Sequence, residues 1–423
     1  MDLYNHQAEA LKLTKDKTHV AYYHDMGLGK TFTGAQKMIE LGETVNLVIC
    51  QKSKIDDWYD HFDQNYWIAV FDLTDKQCLD DFLEYNGQKV GIINYDLVFR
   101  RPGIKKLKDF TLMLDESSLI KNENSKRSKF ILGLKPKNVV LLSGTPVGGK
   151  YEELWSQMKL LGWEIDRKIF FNQYVDYHYE KDEGFPRLVI DGYKNVERLK
   201  RKMREHGCHF VKTEEVFDLP DQTFQKIKVE PSKEYKTFRK KRIITVDFEE
   251  LVGDTALTKM LYERQLCGQY NKEKLGAFKD LVESTNDRLI VFYNFTYEME
   301  NMKKILLEED EEYYSHVFST VNGLIKDLDN YEKRSDSITF VQYQAGAMGL
   351  NLQKANKIIY FTPPLSSDLF EQSKKRIHRI GQNRPCFYYE LVCKHSIEEK
   401  IYSVLKSRKD YTEALFEKDE KSY

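Results

Sequence analysis

The stretch "HVAYYHDMGLGKTFTGAQKMIE" (19–40) predicts an apolar strand that ends at Tyr23, a glycine-containing turn and then a helix. A continuous apolar run of this kind is typical of a parallel strand, because crossover helices bury such strands on both faces. A strand followed by a turn and a helix is the repeating unit of α/β proteins. The stretch therefore favours an α/β fold.

Similar strands recur in two sets, and each set predicts its own parallel sheet. The first set, besides 19–23, is "NLVIC" (46–50), "VGIIN" (90–94), "TLMLD" (111–115) and "NVVLLSG" (138–144). The second set is "RLIVFYN" (288–294), "SHVFS" (315–319), "SITFVQ" (337–342), "KIIYF" (357–361) and "CFYYELV" (386–392). The sequence thus predicts two α/β domains with a cleft between them.

The predicted domains are an N-terminal lobe at 1–149, a helical insertion with a linker at 150–222, and a C-terminal lobe at 223–423. The middle segment reads as helices, except for "EKDEGFPRLVIDGY" (180–193), which indicates a hairpin or a loop. A length of 423 residues suits two or three domains at about 150 residues each.

Composition favours a globular protein that works inside a cell. Hydrophobic residues make up 41% and charged residues 31%, no apolar run approaches the length of a membrane helix, and the first residues do not resemble a signal peptide. The six cysteines form no CxxC pair, which predicts reduced thiols. A net charge of −1 neither requires nor excludes a nucleic-acid partner.

The turn after the first strand has the features of a phosphate-binding loop. Gly27 and Gly29 allow backbone N–H groups to approach a phosphate chain, and the following helix N-terminus favours negative charge. Lys30 would reach the β- and γ-phosphates, and the Thr31 hydroxyl would ligate Mg²⁺. A strict pattern has glycine where this chain has His24. An accidental helix start is the alternative interpretation.

A pair of carboxylates follows the strand at 111–115. Ligands of parallel sheets bind at the carboxyl ends of the strands, so Asp115 and Glu116 would face the phosphates. Asp115 can hold Mg²⁺ and Glu116 can deprotonate the attacking water, whereas the alternative is an acidic helix cap. Ser143 and Thr145 end the next strand and form either a plain turn or a relay of the nucleotide state.

Two arginines, Arg376 and Arg379, lie three residues apart in "SKKRIHRIGQNRP" (373–385). On a helix this spacing places both guanidinium groups on one face. The pair is then either a solvated surface or an anion-binding device.

In order along the chain, these stretches resemble the Swi/Snf-like branch of the superfamily-two helicase-type ATPases. The resemblance covers nearly the whole chain and rests on motifs that stand in the family's order. They are "LYNHQ" (3–7), "HDMGLGKT" (24–31), "DESSLIKN" (115–122), "LLSGTP" (141–146), "RLIVFYNF" (288–295), "YQAGAMGLNLQKANKIIYF" (343–361) and "EQSKKRIHRIGQNRP" (371–385). Ser118 stands where the family usually has histidine. The implied fold is two RecA-like domains that enclose ATP.

The resemblance implies further residue roles. Gln7 would read adenine, Gly349 would line the nucleotide site, and Arg376 and Arg379 would be arginine fingers that reach the γ-phosphate from the second lobe. The expected cofactors are ATP and Mg²⁺, which the loop and the carboxylates named above would bind. The residues expected along a nucleic-acid track are Lys52, Ser53, Asn94, Tyr95, Asn294 and Gln344.

The implied function is a DNA-stimulated ATPase that translocates on double-stranded DNA by alternate closure of its lobes, with little or no strand separation. Two alternatives stay open. One is a strand-separating DNA or RNA helicase that also engages single strands, and the other is a nucleotide-gated DNA-binding protein with little hydrolysis. The compact size resembles bacteriophage or bacterial members, and no membrane partner is expected.

Overall fold

The computed structural model describes residues 3–182, 185–307, 316–346 and 350–416. The chain divides into two compact units: the second is Phe217–Lys409, and the first comprises the residues before it together with those from Asp410 on. Each unit contains a seven-stranded sheet among the described residues. The prediction of two mostly parallel sheets covered by helices is confirmed.

The first unit is built on a fully parallel sheet with the strand order β3-β4-β2-β5-β6-β1-β9. Its strands are β1 (His19–His24), β2 (Val45–Cys50), β3 (Ala69–Asp72), β4 (Lys89–Asn94), β5 (Phe110–Asp115), β6 (Asn138–Ser143) and β9 (Cys208–Val211). The strands β5, β6 and β1 are therefore neighbours. Their carboxyl ends bring the sequence motifs at 24–31, 115–122 and 141–146 to one edge of the sheet.

Helices cover both faces of this sheet. They are α1 (Asn5–Leu13), α2 (Lys30–Glu40), α3 (Ile55–Asn65), α4 (Lys76–Glu84), α5 (Tyr95–Val98), α6 (Lys126–Leu132), α7 (Trp155–Leu160), α8 (Arg167–Tyr174) and α9 (Val196–Glu205). Short 3-10 helices lie at Lys52–Lys54, Pro102–Lys106, Ser117–Ile120, Tyr151–Leu154 and Thr213–Glu215.

Alternate residues of each central strand enter two different hydrophobic clusters. Ala21 and Tyr23 of β1 pack into one cluster, whereas Val20 and Tyr22 pack into the other. The period of two follows from the pleat of a strand, whose side chains point alternately to opposite faces. Burial on both faces explains why the strands appear in the sequence as continuous apolar runs.

The segment predicted as an insertion contributes to the first unit. It contains an antiparallel hairpin, β7 (Val175–Asp182) with β8 (Phe185–Tyr193), in the stretch where the sequence indicates a hairpin or loop. Strand β9 pairs with β1 and forms one edge of the main sheet. The division of the chain at Val216 thus differs from the predicted boundaries at residues 149 and 222.

The second unit has the strand order β10-β18-β17-β13-β16-β14-β15, and all pairs are parallel except β14 with β15. These strands are β10 (Gln222–Val229), β13 (Leu289–Tyr293), β14 (Phe318–Val321), β15 (Lys326–Asp327), β16 (Ile338–Gln342), β17 (Lys357–Tyr360) and β18 (Cys386–Cys393), and a separate hairpin joins β11 (Ile243–Val246) to β12 (Glu249–Val252). The helices are α10 (Lys233–Lys241), α11 (Ala256–Cys267), α12 (Lys272–Glu283), α13 (Thr296–Leu307), α14 (Asp329–Lys333), α15 (Tyr343–Gly346), α16 (Ser367–Lys374) and α17 (Ile397–Phe416).

Two further sequence predictions can be compared with the structure. The six cysteines are all free thiols, as expected from their spacing. Across the described residues, every helix is too short or too polar to cross a lipid bilayer.

Candidate active site

The loop between β1 and α2 is shaped by two glycines in the left-handed region. Gly27 has φ +87° and Gly29 has φ +68°, a backbone conformation that favours glycine. A Cβ atom at Gly29 would lie 2.4 Å from Gln7 Nε2, whereas one at Gly27 would meet nothing within 4 Å. The loop is thus packed against α1 on one side and has open space beside Gly27.

The ammonium group of Lys30 lies across this loop. Its Nζ donates to the carbonyl oxygens of His24 at 2.9 Å and Asp25 at 3.2 Å. A Cβ atom built on Gly144, which follows β6, would lie 3.3 Å from the same nitrogen. The positive charge of Lys30 is therefore held between the ends of β1 and β6, beside the helix N-terminus of α2.

The N-terminal helix α1 supports the loop from behind. Gln7 is 2% exposed, and its Nε2 donates to the carbonyl oxygens of Leu28 at 3.3 Å and Gly29 at 3.0 Å. The His6 ring nitrogen Nε2 lies 2.9 Å from the same Leu28 oxygen. These bonds show Gln7 against the phosphate loop, while its contact with adenine stays a prediction.

His24, which replaces the usual first glycine, is buried at the end of β1. Its Nε2 lies 2.9 Å from Nδ1 of His209 on β9. Burial, followed by the nearby His209 and Lys30, holds the pKa of His24 well below its ordinary value, so its ring is neutral near pH 7. A neutral ring adds no positive charge beside Lys30.

Asp115 ends β5 and is half-buried. Its Oδ2 accepts a hydrogen bond from Trp58 Nε1 at 2.9 Å, and its backbone oxygen accepts one from the Tyr95 hydroxyl at 2.9 Å. Burial raises the pKa of Asp115, while the bond from Trp58 and the charge of Lys30 lower it. Asp115 is thus anchored by side chains from two other elements.

Glu116 follows in a left-handed conformation with φ +57°. Its Oε2 accepts a hydrogen bond from Ser143 Oγ at 3.3 Å, and the Ser143 Oγ also accepts one from the backbone N–H of Thr145 at 3.3 Å. A non-glycine residue in this region is uncommon and is often found where function requires it. The carboxylate pair and the third loop are therefore joined directly.

The residues at this edge fit a hydrated Mg²⁺ ion. Asp115 offers carboxylate oxygens and Thr31, the second residue of α2, offers a hydroxyl oxygen. Oxygen donors are the ligands that Mg²⁺ prefers, and it usually takes one or two from protein while substrate phosphates supply others. The open space beside Gly27 leaves room for such phosphates.

Arg376 and Arg379 do not lie on a helix, so the placement of both guanidinium groups on one helix face is wrong. Helix α16 ends at Lys374, and the chain turns before Gly381, which has φ +92°. The side chain of Gln382 stabilises this turn, because its Nε2 donates to the carbonyl oxygens of Gln353 at 3.0 Å, Ala355 at 2.8 Å and Ile377 at 3.3 Å.

Within the second unit, the two arginines have different surroundings. Arg376 is 6% exposed, and its Nη1 donates to the backbone oxygen of Leu350 at 3.3 Å. Arg379 is half-buried, and burial lowers its pKa from the ordinary value. Both remain charged at neutral pH, and their role as arginine fingers stays a prediction.

The residues predicted to contact nucleic acid fall into two groups. Lys52, Ser53 and Gln344 are exposed. The others, Asn94, Tyr95 and Asn294, are buried or half-buried, and their side chains have local partners where the structure shows them. The Tyr95 hydroxyl supports Asp115, and Asn294 Nδ2 donates to Thr362 Oγ1 at 2.8 Å. Gly349 lies outside the described residues.

Sequence reasoning missed residues that hold this edge together. Trp58 on α3 and Gln157 on α7 are buried, and both bond to the 115–117 turn. The only signal for Gln157 is a polar residue within the apolar stretch "LWSQMKLLGW" (154–163). Trp58 gives no sequence signal, because an aromatic residue on an amphipathic helix is ordinarily part of the core.

Comparisons with known proteins place the chain in a family. Residues 11–274 match the model of the SNF2-related domain, and residues 273–381 match that of the helicase conserved C-terminal domain. The first match covers more than half of the chain. The chain therefore belongs to the SNF2-related family.

Two curated relatives illustrate the similarity. The chain is 24% identical to the putative ATP-dependent helicase/translocase YwqA of Bacillus subtilis, over 93% of this chain and 46% of the relative. It is 25% identical to the ISWI chromatin-remodeling complex ATPase ISW2 of Saccharomyces cerevisiae, over 92% of this chain and 38% of the relative. The chain thus spans less than half the length of these relatives.

One solved structure is also similar, the Sulfolobus solfataricus SWI2/SNF2 ATPase core in complex with dsDNA. Its sequence identity is 19% and its TM-score is 0.44, with 98% of this chain and 92% of that chain covered.

Proposed function

We propose that this chain hydrolyses ATP and uses the energy to translocate on double-stranded DNA with little or no strand separation. The observation that carries the proposal is the meeting of Lys30, Glu116 and Ser143 at the carboxyl ends of the adjacent strands β1, β5 and β6. A phosphate-binding lysine, a carboxylate base and a hydroxyl relay are the parts that phosphoryl transfer requires.

In this proposal each residue has one task. Lys30 and the loop N–H groups bind the β- and γ-phosphates, and Glu116 orients and deprotonates the attacking water. Thr31 and Asp115 would hold Mg²⁺, which when bound neutralises phosphate charge. Arg376 and Arg379 would contact the equatorial oxygens of the γ-phosphate, where negative charge develops during transfer.

Movement would follow from closure of the two units on ATP and their opening after hydrolysis. An arginine supplied by the second unit acts only in the closed state, so that turnover and motion are coupled. The exposed residues Lys52, Ser53 and Gln344 are proposed to contact the DNA backbone. Such contacts are largely insensitive to sequence and sensitive to salt.

DNA is proposed as the partner because the Bacillus subtilis relative is named a helicase/translocase and the Saccharomyces cerevisiae relative a chromatin-remodeling complex ATPase. The location is proposed to be intracellular, in a bacterial or phage-infected cell, which suits six free thiols.

The proposal is tested by steady-state ATP hydrolysis with duplex DNA, single-stranded DNA, RNA or no nucleic acid. Duplex DNA is expected to stimulate turnover most, and Lys30→Ala is expected to abolish it. Displacement of a third strand from a triplex, without separation of an intact or forked duplex, is the expected sign of translocation. Stronger stimulation by single strands with efficient unwinding would support a helicase instead, and DNA binding without turnover would support a gated binding protein.

The nucleic-acid contacts are tested by Lys52→Ala and Gln344→Ala. Each is expected to raise the DNA concentration needed for half-maximal stimulation, while turnover without DNA is unchanged. Lys76→Ala is the matched control, because Lys76 is also exposed but begins α4. An equal effect of all three substitutions would contradict the assignment of Lys52 and Gln344 as DNA contacts.

A further inference from the structure

Gln157 is a buried polar residue whose side chain joins three separate segments. It lies on α7 and is 0% exposed. Its Oε1 accepts hydrogen bonds from the Tyr23 hydroxyl at 3.0 Å and from Ser117 Oγ at 2.7 Å. Its Nε2 donates to the backbone oxygen of Pro146 at 2.7 Å. All of these bonds are buried, so water does not readily replace them.

The three partners lie next to the proposed catalytic elements. Tyr23 precedes His24 at the end of β1, where the phosphate loop starts. Ser117 directly follows Glu116, and Pro146 directly follows Thr145. One amide group therefore connects the phosphate loop, the carboxylate turn and the loop after β6. The carboxylate turn also meets the end of β6 through the bond from Ser143 to Glu116.

A buried amide can also serve stability alone, and this unit contains one. Asn138 begins β6 and is 2% exposed. Its Nδ2 donates to Thr111 Oγ1 and Glu43 Oε1, both at 3.2 Å. These partners lie at the amino ends of the strands, away from the edge that carries Lys30 and Glu116. Asn138 provides the natural comparison for Gln157.

We propose that Gln157 is a positioning residue for ATP hydrolysis. It holds the Glu116 turn and the Thr145 loop in register with the phosphate loop, and it connects them to α7. This inference rests on the proposed hydrolysis at Glu116. Two of its three bonds reach the Glu116 turn and the loop after β6, and the third reaches the Tyr23 side chain on β1 rather than a phosphate-binding group. Loss of Gln157 therefore lowers kcat and leaves nucleotide affinity unchanged.

The expected loss of kcat follows from how far the Glu116 turn would be displaced. A displacement of about 1 Å at a catalytic group costs about a hundredfold in rate. Gln157→Leu keeps a side chain of similar bulk and removes all three bonds, so kcat is expected to fall by about ten- to a hundredfold. Ser117→Ala removes one of the three bonds and is expected to lower kcat less.

The experiment measures kcat, ATP affinity and thermal unfolding for wild type, Gln157→Leu, Ser117→Ala and the double variant. Asn138→Leu is the matched control, expected to lower the unfolding temperature with kcat unchanged. The double variant is expected to resemble Gln157→Leu, because both substitutions remove the same bond.

The outcomes separate this inference from the proposed function. Absence of turnover in wild type would overturn hydrolysis itself. Turnover in wild type with unchanged kcat in folded Gln157→Leu would overturn the positioning role alone. If Gln157→Leu does not fold, an unchanged kcat in Ser117→Ala overturns the role, and a reduced kcat at unchanged affinity supports it.

Discussion

Asp115 in the first unit is half-buried and Glu298 in the second is fully buried, and both acids lie near the carboxyl edge of a parallel sheet. Their surroundings differ. Burial raises the pKa of each, that of Glu298 to about 7. Glu298 Oε2 accepts bonds from the N–H groups of Asn294 at 2.9 Å and Phe295 at 3.1 Å, and from Thr362 Oγ1 at 3.0 Å.

Asp115 and Glu298 differ in the free space around their carboxyl groups. A Cβ atom at Gly268 would lie 2.2 Å from Glu298 Oε1, so this carboxyl group is tightly enclosed. Asp115 lies instead on the edge that carries Lys30 and the open space beside Gly27. A raised carboxyl pKa therefore does not by itself mark a catalytic group. An adjacent cation and room for a ligand are also required.

In the proposed reaction the second unit supplies an arginine rather than an acid. Arg379→Ala is expected to lower DNA-stimulated turnover by about 10³- to 10⁵-fold, because a finger neutralises charge in the transition state. Nucleotide and DNA binding are expected to persist. Steady-state turnover checks this against Arg384→Ala, an exposed arginine of the same stretch whose Nη2 donates to Lys354 O at 2.9 Å. Equal turnover in both variants would remove the finger assignment.

The two units also differ in the use of a lysine. Lys274 is 0% exposed and its Nζ lies 2.6 Å from Glu398 Oε1, whereas Lys30 bonds to loop carbonyls. Lys274→Met is expected to lower the free energy of unfolding by about 3–5 kcal/mol, because it leaves a buried carboxylate unpaired. Denaturant unfolding measures this loss.

The control for that prediction adds Glu398→Gln to Lys274→Met, and part of the lost stability is expected to return. Lys30→Met is expected to unfold near the wild-type midpoint while losing nucleotide binding. A stable Lys274→Met protein would show that the buried pair does not hold the second unit together.

Glu298 also makes the stability of the second unit depend on pH. The folded-state pKa of Glu298, about 7, lies above its ordinary value of 4.5, so folding favours the protonated form. The stability that this group contributes is complete below pH 4.5 and is lost as pH rises through 7. The difference across that window is on the order of 3 kcal/mol.

Glu298→Gln keeps a neutral group at all pH values and is expected to remove this dependence. Unfolding free energies of wild type and variant between pH 4.5 and 8 check it. Parallel pH curves for the two proteins would contradict the assigned pKa.

The sequence predicted the central strands because they are buried on both faces and therefore apolar throughout. It did not predict β10, whose residues are mostly exposed and charged or polar and whose place is set by pairing with β18. The short strands β3 and β9 were missed as well, since four residues carry little periodic signal.

The candidate site was predictable where a motif is local and not where it depends on tertiary contacts. Gly27, Gly29 and Lys30 are adjacent in sequence, and the backbone geometry of the loop follows from the glycines. Gln157 meets its partners only after three strands have paired. The helical prediction for Arg376 and Arg379 failed because the side chain of Gln382, with Gly381, stabilises a turn that a spacing of three does not reveal.

We propose that the carboxyl edge of the first sheet holds the triphosphate with Glu116 as the base. Equilibrium binding of a fluorescent ATP analogue, followed by single-turnover ATP hydrolysis, measures both roles in wild type and Glu116→Gln. We expect equal affinity and cleavage slowed by about 10²- to 10⁴-fold in the variant. Cleavage at the wild-type rate by Glu116→Gln would contradict the account.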